Sequence, residues 1–340
     1  MMTSGSGWTR VSQRQVPNTD QHVSQNNMPD AIDQARRRAL LGLSAGLIAG
    51  ACPPLAHGET PTPAPALIRR PIPSSGELLP VIGMGTAWSF DVGTGEAERA
   101  PLVEILEEFS HPSGRLIDTS PMYGNAERVI GELSAELGIG DRMFLATKVW
   151  TEGREAGIRQ MEESMRLLGS QRLDLIQVHN LVDWRTQLAI LRDWKQAGRV
   201  RYIGITHYRS NAFPALEQVM LTEPLDFIQL NYSIATRDAE ERLLPLAAER
   251  GIGVIVNRPF EDGTLFRRVR GRPLPGWAAE IGCASWAQIF LKYIVSHPAV
   301  SCAIPSTSKP KHLRDNLGAG LGRLPDAAQR QRMQEQLTDL

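Results

Sequence analysis

The feature that most constrains the fold is a regular alternation of short apolar runs with longer amphipathic segments, covering roughly 250 residues of this 340-residue chain. The short runs are rich in Val, Ile and Leu, which predicts buried strands. The longer segments space apolar residues by three and four, as at Ile158, Met161 and Met165, which predicts helices. Glycines follow several of these segments, where helices are expected to end: Gly138, Gly169, Gly198 and Gly251. The predicted strands are 81–85, 115–118, 143–148, 173–179, 200–206, 226–231, 253–257 and 299–304, and the predicted helices are 96–110, 125–138, 154–169, 185–198, 211–221, 238–250 and 284–297.

Eight strands that alternate with helices predict an α/β fold, the (β/α)8 TIM barrel, with an open doubly wound sheet as the alternative. The first strand is followed by Gly83-Met84-Gly85, without the third glycine of a dinucleotide-binding turn, which favours the barrel. Residues 67–80 contain a turn signal at Ser74-Ser75-Gly76 and predict an N-terminal hairpin that closes the barrel bottom. The 258–283 stretch is too long for a plain connection, which indicates a functional or disordered loop.

Charge and cysteine content narrow the classes of partner. Lys plus Arg and Asp plus Glu both number 37, so no field of one sign favours nucleic acid as a partner. The three cysteines, Cys52, Cys283 and Cys302, have neither a disulfide pattern nor metal-ligand spacing, and no metal site is predicted.

The N-terminal region has the layout of an export signal. Residues 1–35 are polar and predict disorder. The pair Arg37-Arg38 precedes a short, weakly hydrophobic run that ends near Ala56, and this arrangement resembles a twin-arginine signal peptide. We therefore expect residues 1–56 to be a signal read by the twin-arginine export machinery, 57–66 a Pro- and Thr-rich linker, and 67–340 the barrel.

The predicted location is accordingly periplasmic, or otherwise outside the cytoplasm. Three alternatives stay open for the apolar run: a membrane anchor, a buried helix, or an uncleaved tail on a cytoplasmic protein. Ala49-Gly50-Ala51-Cys52 also resembles a weak lipoprotein box, so lipidation of Cys52 stays open too. The oligomeric state has no signal in the sequence.

Polar residues end three successive predicted strands: Asp118, Lys148 and His179. Tyr123 follows five residues after Asp118, on a loop broken by Pro121 and Gly124. In a barrel, the carboxyl ends of neighbouring strands lie side by side and carry catalytic groups. Each residue alone has an ordinary structural explanation, such as a capping aspartate or a packing tyrosine. Their joint occurrence at successive strand ends favours a catalytic site.

These four side chains suit proton transfer to a carbonyl oxygen. A neighbouring ammonium lowers the pKa of a phenol, and a carboxylate holds that ammonium in place and keeps it charged. A neutral imidazole donates to a carbonyl oxygen and orients it. The set can therefore protonate an alkoxide as it forms, or run the reverse step, while a cofactor supplies the hydride.

Over roughly residues 68–317 the chain resembles the aldo-keto reductase family, which has the TIM-barrel fold. The resemblance implies reduction of an aldehyde or ketone with NADP(H) or NAD(H). It implies Tyr123 as general acid, Lys148 and Asp118 as the groups that tune it, and His179 as the residue that orients the carbonyl. The matching motifs, in order, are Gly83-Met84-Gly85-Thr86, Asp118-Thr119-Ser120-Pro121-Met122-Tyr123-Gly124, Ala146-Thr147-Lys148, Asp174-Leu175-Ile176-Gln177-Val178-His179, Val200-Arg201-Tyr202-Ile203-Gly204-Ile205-Thr206, Gln229-Leu230-Asn231-Tyr232-Ser233 and Ile304-Pro305-Ser306.

The resemblance also implies a cofactor site. One group of residues falls where the family holds the nicotinamide carboxamide, and the other groups fall on the pyrophosphate side and at the adenosine ribose and its phosphate. The residues implied are Gly85, Thr206, His207, Gln229, Asn257, Pro259, Phe260, Gly263, Leu265, Ser306, Lys309, His312 and Asn316.

Several of these positions depart from the family pattern. Asn257 stands where an aromatic ring usually stacks on the nicotinamide, and Thr206-His207 replaces a Ser-Asn pair. Ser306 and His312 stand at positions that are often basic. Lys309, Lys311 and Arg314 are the cations left to hold a 2′-phosphate, so NADP(H) is favoured over NAD(H).

Trp88 and Trp150 follow the first and third strands, and we expect them to line a pocket for a small carbonyl substrate. The identity of that substrate depends on loops that the sequence alone does not arrange. An alternative function, suggested by Asn257 and His207, is a barrel that keeps the fold and binds a ligand or partner without turnover.

Overall fold

An antiparallel hairpin begins the described part of the chain, which in this computed structural model is residues 65–338. Its strands are β1 (Arg69–Pro71) and β2 (Leu78–Pro80), paired so that Arg70 faces Leu79. Gly76 takes the left-handed conformation in the turn (φ 77°) and donates to the Ile72 carbonyl at 2.8 Å. The predicted hairpin is therefore present. The predicted signal peptide, residues 1–56, and residues 57–64 of the linker lie outside the described range.

Eight parallel strands follow, hydrogen-bonded in sequence order from β3 to β10. Parallel bridges from Ile82 to Ala303 and from Gly85 to Ser306 join the first strand to the last and close the ring. The predicted (β/α)8 barrel is confirmed. The strands are β3 (Met84–Gly85), β4 (Arg115–Asp118), β5 (Met143–Val149), β6 (Leu173–His179), β7 (Val200–His207), β8 (Phe227–Asn231), β9 (Gly253–Asn257) and β10 (Val300–Ala303).

The first barrel strand is shorter than the predicted 81–85 because regular pairing is confined to Met84–Gly85. Val81 and Gly83 still exchange backbone hydrogen bonds with Ala303, each at 2.9 Å. A Cβ atom at Gly83 would lie 2.5 Å from the Leu116 carbonyl oxygen, so a glycine is needed where the chain passes this close.

Three aromatic side chains near the amino ends of β5, β7 and β8 pack together in the barrel interior. The Phe144 and Tyr202 rings stack with centroids 5.8 Å apart, and the Phe227 ring meets both edge-on. Ile72 and Leu79 of the hairpin are fully buried in the same cluster. The hairpin therefore closes the amino-terminal end of the barrel, as predicted, and leaves the opposite end for the site.

Helices cover the outside of the barrel. The four predicted stops are correct, since Gly138, Gly169, Gly198 and Gly251 all have positive φ. The predicted 258–283 loop contains α7 and two 3-10 turns. The helices are α1 (Glu96–Phe109), α2 (Ala126–Leu137), α3 (Arg154–Leu168), α4 (Trp184–Gln196), α5 (Phe213–Thr222), α6 (Leu243–Arg250), α7 (Thr264–Arg268), α8 (Trp286–Val295), α9 (Pro310–Gly318) and α10 (Ala327–Thr338).

The predicted helix 238–250 is wrong at its start. A separate 3-10 turn covers Asp238–Glu240, and α6 begins at Leu243. Pro245 explains the difference, because proline is tolerated in the first turn of a helix but not in its interior. None of the helices in the described range is long and apolar enough to cross a membrane.

Candidate active site

A cavity of about 870 Å³ opens at the carboxyl ends of the barrel strands. It extends from the loop after β3 to the amino end of α9, and most of the predicted site residues line it. Those residues are Gly85, Trp88, Asp118, Tyr123, His179, Thr206, Gln229, Asn257, Pro259, Phe260, Gly263, Ser306, Lys309 and His312.

Five predicted residues are not on the cavity wall. Lys148 is fully buried beneath it, and Trp150 stands beside His179 with ring centroids 6.5 Å apart. His207 stacks on Tyr208 at 5.6 Å. Leu265 is packed in the hydrophobic core, and Asn316 is buried on α9. The cavity wall therefore does not include His207, Leu265 or Asn316.

A buried ion pair lies beneath the tyrosine. Lys148 Nζ is 2.6 Å from Asp118 Oδ2 and 4.9 Å from the centre of the Tyr123 ring. It also donates to the Thr119 carbonyl oxygen at 2.7 Å. Burial acts to lower the pKa of Lys148, but Asp118 and Tyr123 together raise it above its usual value. The lysine is therefore held as a cation under the phenol.

The second oxygen of the Asp118 carboxylate is held by amides. Gln229 Nε2 donates to Asp118 Oδ1 at 2.8 Å, and Gln177 Nε2 donates at 3.3 Å. Sequence reasoning missed Gln177. A signal was available, because Gln177 precedes His179 by two residues on β6 and so lies on the same face of the strand.

Gln229 is engaged at both ends of its amide. Its Oε1 accepts from Thr206 Oγ1 at 3.1 Å and from Asn257 Nδ2 at 3.3 Å. Asn257 thus stands at the strand end expected to carry a ring, and it joins the hydrogen-bond network that reaches Asp118. The resemblance to the family implies that Gln229 holds the nicotinamide carboxamide. In this structure the Gln229 side chain donates to the Asp118 carboxylate.

Tyr123 is half-buried and meets the His179 ring edge-on, with centroids 6.0 Å apart. Burial raises the pKa of the Tyr123 phenol, and the Lys148 ammonium acts in the opposite direction. The sequence prediction of a lowered pKa captured the effect of the lysine and missed the larger effect of burial. The phenol is therefore protonated at neutral pH, as a general acid must be.

His179 is held neutral. Burial, then the charges of Lys148 and His207, lowers the pKa of His179 to about 2. Its Nδ1 atom lies 3.1 Å from the hydroxyl oxygen of Ser120, a fully buried residue that sequence reasoning did not select. The imidazole is therefore suited to donating a hydrogen bond and not to carrying a charge.

The far end of the cavity has the donor set expected for a phosphate. Ser306, Thr307, Ser308 and Lys309 line it, just before the amino end of α9. Burial lowers the pKa of His312, and Lys309 and Lys311 lower it further. These residues fit the ribose and phosphate groups of a dinucleotide.

Two of the three cations named for a 2′-phosphate, Lys311 and Arg314, are not on the cavity wall. Arg314 lies on the outer side of α9 and pairs with Glu104 at 2.5 Å and Glu108 at 2.8 Å, both on α1. Lys311 is exposed and is not on the cavity wall. Lys309 is thus the predicted phosphate-binding cation that the fold brings to the cavity, because a helix presents neighbouring residues on different faces.

The loop after β3 presents an exposed tryptophan at the cavity mouth. Trp88 is 93% exposed and has a φ of 65°, a conformation that costs energy for a bulky residue. The loop is anchored by buried Phe90 and by Ser89, whose hydroxyl lies 2.7 Å from that of Ser306. The cavity wall also includes Arg258, which pairs with Asp262 at 2.5 Å.

Comparison with known proteins agrees with this geometry. Methylglyoxal reductase YeaE of Escherichia coli (strain K12) is 28% identical over 250 residues, covering 71% of this chain and 86% of that protein. The NADH-specific methylglyoxal reductase of the same organism is 28% identical over 229 residues, covering 58% of this chain and 66% of that protein.

Solved structures show the same fold. An aldo-keto reductase from Bacillus halodurans, in its holo form, superposes with a TM-score of 0.64 at 24% identity, covering 79% of this chain and 96% of that one. An aldo/keto reductase from Klebsiella pneumoniae in complex with NADP and acetate has a TM-score of 0.66 at 23% identity, covering 77% and 93%.

The model of the aldo/keto reductase family matches residues 81–335, which is most of the chain and includes every strand of the barrel. The match includes all four residues that the fold gathers around the cavity, namely Asp118, Tyr123, Lys148 and His179. The chain belongs to the aldo/keto reductase family.

Proposed function

We propose that the protein reduces an aldehyde or ketone to the alcohol, or runs the reverse reaction, with NADP(H) as cofactor and Tyr123 as general acid. Carbonyl reduction with NAD(P)H is the activity that goes with the family. The observation that carries the residue roles is the position of the Tyr123 ring, which lies 4.9 Å from the ammonium of the buried Lys148–Asp118 pair and meets His179 edge-on.

A bound nicotinamide cofactor would supply the hydride, and the protein supplies the proton. Tyr123 donates its phenolic proton to the substrate oxygen as negative charge develops there. The Lys148 ammonium then stabilises the phenolate, because a cation close to the ring favours its charged form. Asp118 keeps Lys148 in place, and His179 donates a hydrogen bond that orients the oxygen.

The proposal is tested by titrating NADPH fluorescence and by following NADPH oxidation with methylglyoxal, the substrate for which two relatives are named. Tyr123→Phe should bind NADPH normally and lose about 10²- to 10⁴-fold in kcat/KM. Tyr202→Phe is the matched control, because it removes a phenol at the closed end of the barrel. Wild-type turnover in Tyr123→Phe would exclude Tyr123 as the acid.

NADP(H) is proposed over NAD(H) on the position of Lys309. Lys309 lines the end of the cavity with three hydroxyl residues, where a 2′-phosphate would gain a charge-assisted hydrogen bond from a lysine. The Klebsiella pneumoniae structure contains NADP, whereas one Escherichia coli relative is NADH-specific by name. Comparing dissociation constants for NADPH and NADH decides the preference.

A barrel that binds without turnover is the second candidate. The observation in its favour is Gln229, whose amide is engaged at both ends by Asp118, Thr206 and Asn257. Such a protein would bind a nicotinamide cofactor or carbonyl compound and show no cofactor oxidation across a panel of aldehydes. Turnover that depends on Tyr123 excludes this candidate.

We also propose export through the twin-arginine pathway, on the sequence of residues 1–56 alone. That pathway moves folded proteins, so the enzyme would leave the cytoplasm with its cofactor already bound. The double variant Arg37→Lys, Arg38→Lys should keep the protein in the cytoplasm, as measured by fractionation and N-terminal sequencing. A mature protein with neither bound nor bindable nicotinamide would contradict the proposal of bound-cofactor export.

A further inference from the structure

Ser120 lies between Asp118 and Tyr123 on the catalytic loop, and its side chain is fully buried. Its carbonyl oxygen accepts from the Tyr123 amide at 3.0 Å, so a tight turn joins the two residues. Its hydroxyl has two neighbours: the Met122 amide nitrogen at 3.3 Å and His179 Nδ1 at 3.1 Å. The loop that carries the proposed acid therefore also contacts the proposed carbonyl-orienting residue.

The direction of each hydrogen bond follows from what the groups can donate. A backbone amide only donates, so Met122 uses a lone pair of the Ser120 oxygen. The hydroxyl proton then needs an acceptor, and across residues 65–338 the remaining neighbour of this hydroxyl is His179 Nδ1. If Nδ1 carried a proton instead, the buried hydroxyl proton would have no acceptor, which is costly.

The orientation of Ser120 decides which ring nitrogen of His179 can serve a ligand. A neutral imidazole has one protonated nitrogen and one bare nitrogen. With Nδ1 accepting from Ser120, the proton is on Nε2. Nε2 has no partner within the described residues, and His179 lines the cavity. It is thus the nitrogen available to a substrate oxygen.

We infer that Ser120 is a positioning residue, whose hydroxyl donates to His179 Nδ1 and so fixes the tautomer that carries its proton on Nε2. This inference rests on the proposed carbonyl reduction. In the other tautomer, the bare Nε2 lone pair would face the carbonyl oxygen and repel it as negative charge develops there. Ser120 therefore acts through His179 and needs no contact with substrate or cofactor.

Two measurements test the inference on the full-length protein loaded with NADPH. The first is a two-bond ¹⁵N–¹H correlation spectrum of the histidine side chains, with His179 assigned among the seven histidines by comparison with His179→Gln. The wild type should show His179 protonated at Nε2. A wild-type His179 protonated at Nδ1 would overturn the inference without any variant being made.

The second measurement compares Ser120→Ala with Ser134→Ala. Ser134 is the matched control, because it is also buried but its hydroxyl has no hydrogen-bond partner in the described structure. Ser120→Ala should show both tautomers of His179 and lose about 10- to 100-fold in kcat, with its NADPH dissociation constant unchanged. Ser134→Ala should match the wild type.

The outcomes separate this inference from the proposed function. Retention of the single Nε2 tautomer and of wild-type kcat in Ser120→Ala would overturn the role of Ser120 while leaving carbonyl reduction intact. A wild type without NADPH-dependent turnover would refute the proposed function, whereas the spectrum would still report whether Ser120 fixes the His179 tautomer.

Discussion

Replacing Lys148 with methionine should separate the structural and chemical roles of the buried ion pair. At an effective dielectric constant of ~20, unit charges 2.6 Å apart attract by about 6 kcal/mol, most of which offsets the cost of removing both charges from water. The variant leaves the Asp118 carboxylate buried without its cation. Breaking such a pair costs about 3–5 kcal/mol.

Asp118 in the Lys148→Met variant keeps the amide donors Gln229 and Gln177, at 2.8 and 3.3 Å. We therefore expect the lower end, about 3 kcal/mol, which corresponds to a fall in melting temperature of roughly 5–10 °C. Activity should fall about 10²- to 10⁴-fold, because the Tyr123 phenolate loses its stabilising cation. Adding Asp118→Leu should recover part of the stability and none of the activity, since the uncompensated charge is gone but the cation beneath Tyr123 is not restored.

The assay is thermal unfolding by circular dichroism together with kcat/KM for NADPH-dependent reduction. Arg166→Met is the matched control: its guanidinium lies the same 2.6 Å from Glu163, but the two side chains are 61% and 51% exposed. We expect little change in melting temperature there and normal activity. An Lys148→Met enzyme with wild-type melting temperature and turnover would refute the argument.

Three further predictions concern pH, cofactor choice and the C-terminal helix. Reduction needs a protonated Tyr123, and burial raises the pKa of that phenol above its usual value. The value of kcat/KM should therefore stay constant through neutral pH and fall only at higher pH. A loss of activity centred near pH 7 would contradict this. The pKa of His179 is about 2, so its protonation should cause no loss of activity between pH 5 and pH 7. Lys309→Ala should weaken NADPH binding about 10-fold and leave NADH binding unchanged, as measured by fluorescence titration. Lys311→Ala should change the binding of neither cofactor. Equal losses of NADPH and NADH affinity in Lys309→Ala would exclude a contact between Lys309 and the 2′-phosphate. Arg330→Ala should cost about 2–4 kcal/mol of unfolding free energy, because Arg330 pairs with Glu240 at 2.9 Å and donates to Ser296 Oγ at 2.7 Å. Arg332 is exposed, so Arg332→Ala should cost less than ~0.5 kcal/mol. Equal urea midpoints for the two variants would show that the contacts of Arg330 do not hold α10.

Periodicity in the sequence was sufficient for the barrel, because strand and helix patterns are local. Seven of the eight strands were predicted to within about two residues at each end. The helix α10 was missed because it has little apolar periodicity. Met333 is buried, and Arg330 holds the helix by polar contacts to residues distant in sequence. Such polar docking leaves no periodic signal.

The sequence by itself determined the order of the barrel strands and placed Asp118, Lys148 and His179 at successive strand ends, since parallel strands in a barrel end on one side. Only the tertiary structure decided which atoms meet there. Gln229 reaches Asp118 across 111 positions of sequence, and Ser120 reaches His179 across 59. The outward side of α9 that carries Arg314 likewise became visible only with α1 in place. Whether hydrogen bonds and ion pairs of this kind form depends on differences of a few tenths of an ångström in the distance between two atoms. Closure of the barrel sets those distances, and no local sequence pattern encodes them.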